Sequence, residues 1–333
     1  MNTNYGKILE LLNNGTNLVH ENNKIYKAIF FRLTNSEEQQ SMFELLQLHK
    51  HLKVYDHIWE QLVDLMKVLN PSKKLSSEEL KIAINEHLNG KTLEQYGVWV
   101  YYPWSDRLVH MLDEKEFIEV RTSRNKNKIT NEERDVLSRK IIGVIGLSVG
   151  QSVSVTLAQE RICGELRLAD FDLLELTNLN RIRTGVHNLG LAKVYSVARE
   201  IAEIDPFIKV RCFPEGIIEA NMHSFFMEHG KMSLLVEESD GFDIKIMARY
   251  KARELGIPVI MEASDRCMVD VERFDLEPNR EILHGIVKHL DIPTLKSLTT
   301  TEEKIPYMLD VLGLDTSSVR LKASMLEIDQ TIN

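Results

Sequence analysis

Cysteine is scarce in this sequence: Cys163, Cys212 and Cys267 are the only three in 333 residues. Spaced so widely, they supply neither a disulfide framework nor a clustered metal site. No apolar run approaches the roughly 20 residues that a membrane span requires. The N-terminal stretch MNTNYGKILELLNNG lacks the charged start and apolar core of a signal peptide. A cytoplasmic protein with no membrane partner is therefore expected. Positive charge is not in excess either, since 41 Lys and Arg face 50 Asp and Glu for a formal net charge of −9. That balance argues against a general nucleic-acid binder, although a local basic pocket remains open. His49, His51 and His57 lie near one another without a carboxylate or cysteine grouping, and read as surface histidines. What is present is ordinary for a globular chain: 43% hydrophobic and 27% charged residues. The length suffices for two compact domains.

Local patterns divide the chain into three parts. Residues 1–112 read as a small α+β domain. Lys24 to Leu33 is strand-like, Ser36 with Gln39 marks a helix start, and Ser76 with Glu79 marks another. Gly97 to Leu112 holds two strand-like pieces around Pro103. Its aromatics Trp99, Tyr101, Tyr102 and Trp104 are read as hairpin core rather than as a stacking platform. Residues 113–139 form a charged connector that ends in a capping box at Thr130 and Glu133. Residues 140–333 read as a nucleotide-binding domain with a helical C-terminal tail.

The chain is organised around Lys140 to Lys193. Ile141 to Ile145 has the length and composition of a buried parallel strand. The turn Gly146-Leu147-Ser148-Val149-Gly150 follows, then a helical pattern that Gly164 is expected to stop, then a second strand ending at Asp170. A glycine-spaced turn lets the backbone approach a phosphate, and the first N–H groups of the next helix face the anion. Taken alone, such a turn also serves ordinary tight loops. Asp170 satisfies the need of a dinucleotide fold for one acidic residue at the second strand. That fold has no task for Asp172, Asn178, Arg181 and Lys193, which follow in close order.

The run DFDLLELTNLNR, followed by GLAK, resembles the ATP-binding signature of the ThiF/MoeB adenylyltransferases, in the superfamily of ubiquitin-activating enzymes. The resemblance covers about residues 120–290. It implies a doubly wound, Rossmann-like α/β sheet of ThiF type behind the N-terminal α+β domain. It implies ATP and Mg²⁺ as cofactors and attack by an acceptor carboxylate on the α-phosphate. The acceptor would be a small protein's C-terminus or a small-molecule carboxylate.

By the same resemblance, Gly146, Ser148 and Gly150 form the phosphate turn, and Asp170 and Asp172 with Asn178 belong to the nucleotide site. Arg181 and Lys193 would offset charge on the α-phosphate as catalytic residues, and Asp240 would hold the metal. Arg121 or Arg124 would reach the phosphates of a partner subunit in a homodimer. Ser148 and Val149 replace glycines usual in the family. The paired C-x-x-C motifs of many relatives are absent, and Cys267 precedes the position of the family's thioester cysteine, so a thioester step is not expected. GVWVYYPWS and ASDRCMVDVERFDLEPNR resemble a bacterial branch fused to a nitroreductase-like domain, a possible partner. Two other readings stay open: a dinucleotide-binding redox protein and a non-catalytic ATP-binding scaffold.

Overall fold

A computed structural model describes residues 7–8, 23–263, 268–288, 290, 292–298, 300–313 and 317–327. The chain divides into two compact units. The first comprises Met1–Ser138 with Ala158–Ile162 and Ala198–Ile208, and the second comprises Arg139–Leu157, Cys163–Val197 and Lys209–Asn333.

The first unit is built on a four-stranded sheet of β1 (Ile29–Phe31), β2 (Lys53–Asp56), β3 (Val98–Tyr102) and β4 (Arg107–Met111), in the order β1-β3-β4-β2. β3 pairs antiparallel with β1 and β4, whereas β2 lies parallel to β4. The alternation of apolar and aromatic residues in β3 leaves all five of its side chains buried. Trp99 stacks on His110 with ring centroids 4.1 Å apart, so the aromatic cluster is hairpin core here. His110 is fully buried and has Asp56 and the Tyr96 carbonyl as partners.

Helices α1 (Ser36–Leu48), α2 (Ile58–Leu69) and α3 (Ser77–Leu88) accompany this sheet. Ile58, Leu62, Leu65 and Met66 recur at helical spacing and pack with Ile84, Leu88 and Leu112. The Ser76–Glu79 capping box forms as read from sequence. At α1 the cap is Asn35 rather than Ser36, because the Asn35 side-chain oxygen accepts the N–H groups of Glu37 and Glu38. β2 had no sequence signal, since its four side chains are all exposed and no face alternates. α4 (Glu114–Thr122) and α5 (Asn131–Leu137) occupy the charged connector, and α5 carries the Thr130–Glu133 box.

The second unit holds a six-stranded sheet of β5 (Ile141–Ile145), β6 (Glu165–Ala169), β7 (Lys209–Phe213), β8 (Leu234–Glu237), β9 (Val259–Ala263) and β10 (Met268–Glu272). Their order is β10-β9-β8-β5-β6-β7; β5 to β9 are parallel and β10 is antiparallel to β9. Counted from β5 this is the doubly wound order 3-2-1-4-5-6, with the direction of winding reversing between β5 and β8. The α/β doubly wound class expected from sequence is the class observed.

Between the strands run α6 (Gly150–Glu160), α7 (Lys193–Ile204), α8 (Glu219–Met227) and α9 (Phe242–Leu255). α10 (Ile292–Ser297), α11 (Thr301–Leu312) and α12 (Val319–Glu327) make the helical tail. Phe225, Phe226, Leu235, Ile246, Ala252 and Phe274 form the fully buried centre of one large apolar cluster. α6 ends earlier than the Gly164 stop read from sequence. The left-handed turn falls on Arg161 (φ 52°), whose guanidinium is bound to the buried Asp205 carboxylate. A tertiary ion pair thus holds a backbone conformation that local propensity assigns to glycine.

Beneath β8 and β10 lies a buried ionic network. Arg249 is fully buried and bonds Glu237 at 2.7 Å and Glu272 at 2.6 Å, while Lys245 bonds Glu237 at 2.7 Å. Burial alone would push the Glu237 carboxyl up, but Lys245 and Arg249 outweigh it and hold it below the usual carboxylate range. Among the described residues, no helix is long and apolar enough to cross a membrane.

Candidate functional site

A cavity of about 170 Å³ opens at the carboxyl ends of β5, β6 and β8, where the winding of the sheet reverses. In open α/β sheets that crevice is where ligands bind. Its apolar lining comes from Ile145, Leu147, Ala169, Phe171, Ile217 and Ile244. Its polar lining comes from Ser148, Asp170, Asp172, Glu238, Ser239 and Asp240. The volume exceeds a water's share of about 30 Å³ several-fold, so a small organic ligand can enter.

The turn Gly146–Gly150 takes its shape from its two glycines. Gly146 has φ +84°, and a Cβ there would lie 2.6 Å from the backbone C and O of Glu238. The turn after β8 therefore packs backbone to backbone on the turn after β5. At Gly150 a Cβ would lie 2.8 Å from a Val144 methyl, so α6 starts close against its own strand. Leu147, Ser148 and Val149 stand between them.

Asp170 is buried and does more than the sequence reading assigned to it. One of its oxygens accepts the Leu147 N–H at 2.6 Å and the other the Asp172 N–H at 2.8 Å. The carboxylate thus ties the turn after β5 to the turn after β6. Burial raises its pKa above the ordinary value despite those two N–H bonds. Lys193 begins α7 with a nearly buried ammonium, 2.6 Å from Asp172 and 3.3 Å from the Ser148 hydroxyl.

Glu238 also lines the cavity. Burial pushes its carboxyl up to about 7, against an N–H bond from Glu262 and with help from the neighbouring Glu237 and Glu262 charges. Its neighbour Glu237 belongs to the buried ionic network and not to the cavity. The Lys245 and Arg249 cations beside Glu237 separate these adjacent glutamates, and no local signal in the sequence reports them.

Of the sequence-predicted site residues, the structure brings together Gly146, Ser148, Asp170, Asp172 and Asp240 on one cavity, with Lys193 bonded to two of them. Gly150 lies just behind, at the start of α6. Asn178 is buried, and its side-chain oxygen accepts the Glu175 N–H at 3.0 Å. It braces the 3-10 turn Leu176–Asn180 rather than lining the cavity. Arg181 is exposed, bonds the Asn180 side chain at 3.0 Å, and does not line the cavity.

Asp240 is exposed, and among the described residues no hydrogen bond or ion pair engages its side chain. Arg124 is exposed in the first unit. Arg121 is engaged within that same unit, donating to Asp205 and to the Ala158 and Gln159 carbonyls at the end of α6. Cys163 is buried and Cys212 half-buried, while Cys267 lies outside the described residues.

A parallel sheet with a phosphate-type turn, an acidic residue ending the second strand and a lysine opening the next crossover helix defines a nucleotide-site architecture of the doubly wound class. The model of the ThiF family matches residues 122–323, and the chain belongs to that family. Among its relatives, a Mycobacterium tuberculosis protein named "Uncharacterized protein MT1398" is 43% identical over 240 residues, 72% of this chain and 33% of that one. The chain therefore spans a third of the length of that relative. Ubiquitin-like modifier-activating enzyme 5 of Bombyx mori is 23% identical over 191 residues, 55% of this chain and 46% of the relative. Among solved structures, the Escherichia coli tRNA N6-threonylcarbamoyladenosine dehydratase TcdA in complex with ATP is 24% identical. That match covers 46% of this chain and 62% of the other, with a TM-score of 0.42.

Proposed function

We propose that this chain binds Mg·ATP at the β5–β8 crevice and adenylates an acceptor carboxylate, releasing pyrophosphate. The observation that carries the reading is one cavity lined by the glycine-shaped turn, Asp170, Asp172 and Ser148, the last two bonded from behind by the Lys193 ammonium. The apolar lining residues suit a purine, and Asp170 retains lone pairs for ribose hydroxyls after accepting two backbone N–H groups. An ionised acceptor carboxylate attacks the α-phosphorus, and the bond to the bridging oxygen of the β-phosphate breaks to release pyrophosphate. No proton has to be removed from the nucleophile. The task of the protein is positioning and charge stabilisation.

The polar lining of the cavity carries four carboxyl groups, Asp170, Asp172, Glu238 and Asp240, beside one ammonium already engaged by Asp172. A bare triphosphate would be repelled there, which favours the magnesium complex. Asp240, exposed on the rim and unengaged among the described residues, fits a cation that takes one or two protein carboxylates and otherwise phosphate oxygens. Arg181 and Lys193 are the proposed charge partners of the α-phosphate, and Asn178 acts by shaping the loop that carries Arg181. A cytoplasmic homodimer, with Arg124 directed to the partner's nucleotide, completes the proposal. A nitroreductase-like partner domain, the candidate from sequence resemblance, is proposed to work with the adenylating part.

Calorimetry with ATP, NAD and FAD, with and without Mg²⁺, tests the nucleotide. Tight NAD or FAD binding with none for ATP would turn the reading to a redox protein. ATP–pyrophosphate exchange with co-purifying acceptors tests the chemistry. ATP binding without exchange in the presence of every acceptor so recovered would favour the scaffold reading.

A further inference from the structure

The second residue of α6 is a fully buried glutamine, Gln151. Its side-chain N–H donates to the Arg183 carbonyl at 2.8 Å, and its side-chain carbonyl accepts the Arg183 N–H at 2.8 Å. One amide therefore satisfies both backbone groups of a single residue 32 positions away, as a neighbouring strand would. Two bonds in opposite directions fix the separation and the tilt of that segment.

Among the described residues the segment is otherwise held by a contact between the Thr184 and Ser196 hydroxyls at 3.5 Å, on the α7 side, and at two further places. Its base closes at Leu174, whose N–H donates to the Leu191 carbonyl and whose carbonyl accepts the Gly190 N–H, each at 2.8 Å. Its middle is plugged by buried Ile182 against Leu174 and Leu191. None of these holds refers to the phosphate turn. Gln151 does, because it follows Gly150 directly and is rigid with α6.

We propose that Gln151 is a positioning residue that sets the loop bearing Asn178 and Arg181 against the phosphate turn, so that Arg181 meets the nucleotide phosphates. The inference rests on the Mg·ATP reading above. Gln151 touches no part of the cavity itself, and its effect travels through the Arg183 backbone.

The variant Gln151→Leu keeps the volume and the buried setting while removing both bonds. Arg183 is exposed, so water can take over its backbone groups and the fold should survive. Hydrogen exchange on the ligand-free protein is the first measurement. Peptides covering residues 181–185 should exchange at least about tenfold faster in the variant, with β5, β6 and β8 unchanged. Unchanged exchange at 181–185 overturns the tie whatever the ligand.

The second is a double-mutant cycle on Mg·ATP affinity by calorimetry, with Gln151→Leu, Arg181→Ala and the pair. Each single change should weaken binding roughly tenfold, the scale of one charge-assisted hydrogen bond. The pair should be no weaker than Arg181→Ala alone, since Gln151 acts through Arg181. Independent losses that multiply to about a hundredfold would overturn the positioning role and leave Gln151 a merely structural residue. Wild-type protein that binds no Mg·ATP overturns the functional reading and with it the nucleotide role of Gln151, whereas normal wild-type binding with an unaffected Gln151→Leu variant sinks this inference alone.

Discussion

Replacing Gly146 by alanine should separate the two demands that the phosphate turn makes on its glycine. The first is conformational: φ is +84°, a region that costs an L-residue about 1–2 kcal/mol. The second is spatial, because the new Cβ would sit 2.6 Å from the Glu238 carbon and oxygen and 2.7 Å from the Ser239 nitrogen. These are backbone atoms at the end of a central strand, so they cannot swing aside like a side-chain tip. Overpacking of this kind adds typically about 1–3 kcal/mol.

Together the two effects predict a loss of about 2–5 kcal/mol for Gly146→Ala, a large part of a typical total of about 5–15 kcal/mol. Gly190→Ala is the control. Its φ is +83°, but nothing lies within 4 Å of the added Cβ, so only the conformational part should be lost. Urea unfolding of both variants gives the difference directly. Calorimetry should add a second contrast, with Mg·ATP binding lost in Gly146→Ala and kept in Gly190→Ala. Two variants equal in stability within about 0.5 kcal/mol would refute the close approach of the two turns, since a spatial part that small falls below the range for overpacking.

Further outcomes follow from the charged groups and the assembly. The Glu238 carboxyl, raised from 4.5 to about 7 in the folded chain, favours folding fully below about pH 4.5 and loses that contribution as pH rises through 7. Glu238→Gln should therefore gain stability over wild type between pH 5 and pH 8, and parallel urea midpoints across that range would exclude it. Glu237→Gln should cost about 3–5 kcal/mol by taking a carboxylate from both Lys245 and fully buried Arg249, which keeps Glu272 and, at 4.0 Å, Asp270; a loss below about 1 kcal/mol would show the network to be dispensable. Lys193→Ala should slow ATP–pyrophosphate exchange by roughly 100-fold, the effect of losing a transition-state charge partner, and rates within a few fold of wild type would remove it from the site. Sedimentation at micromolar concentration should give a homodimer, and a species of 38.4 kDa would count against it.

The reading from sequence reached the second unit more fully than the first for a physical reason. Strands buried on both faces are short apolar runs, and β5 and β6 stand out as such between a glycine turn and an acidic end. Capping boxes are equally local: the Ser76–Glu79 and Thr130–Glu133 pairs are each closed by four neighbouring residues. β2 escaped because an exposed edge strand needs no apolar side chain, and the stop of α6 was misplaced because Arg161 adopts a left-handed turn through a partner 44 residues away.

What the sequence by itself determined is the order of elements, the doubly wound class and the set of chemically capable residues, all of which follow from periodicity, turn chemistry and short spacing. Tertiary structure alone decided which of those residues share a cavity. It gathered Ser148, Asp170, Asp172 and Asp240 at the reversal of winding, kept Arg181 on an exposed loop, and engaged Arg121 with Asp205. It also gave two adjacent glutamates opposite fates, Glu237 in an ionic network and Glu238 in the cavity. Successive side chains of a strand point to opposite faces, so neighbours in sequence meet different surroundings. Those surroundings come from β9, β10 and α9, which lie far along the chain and carry no local mark of the contact.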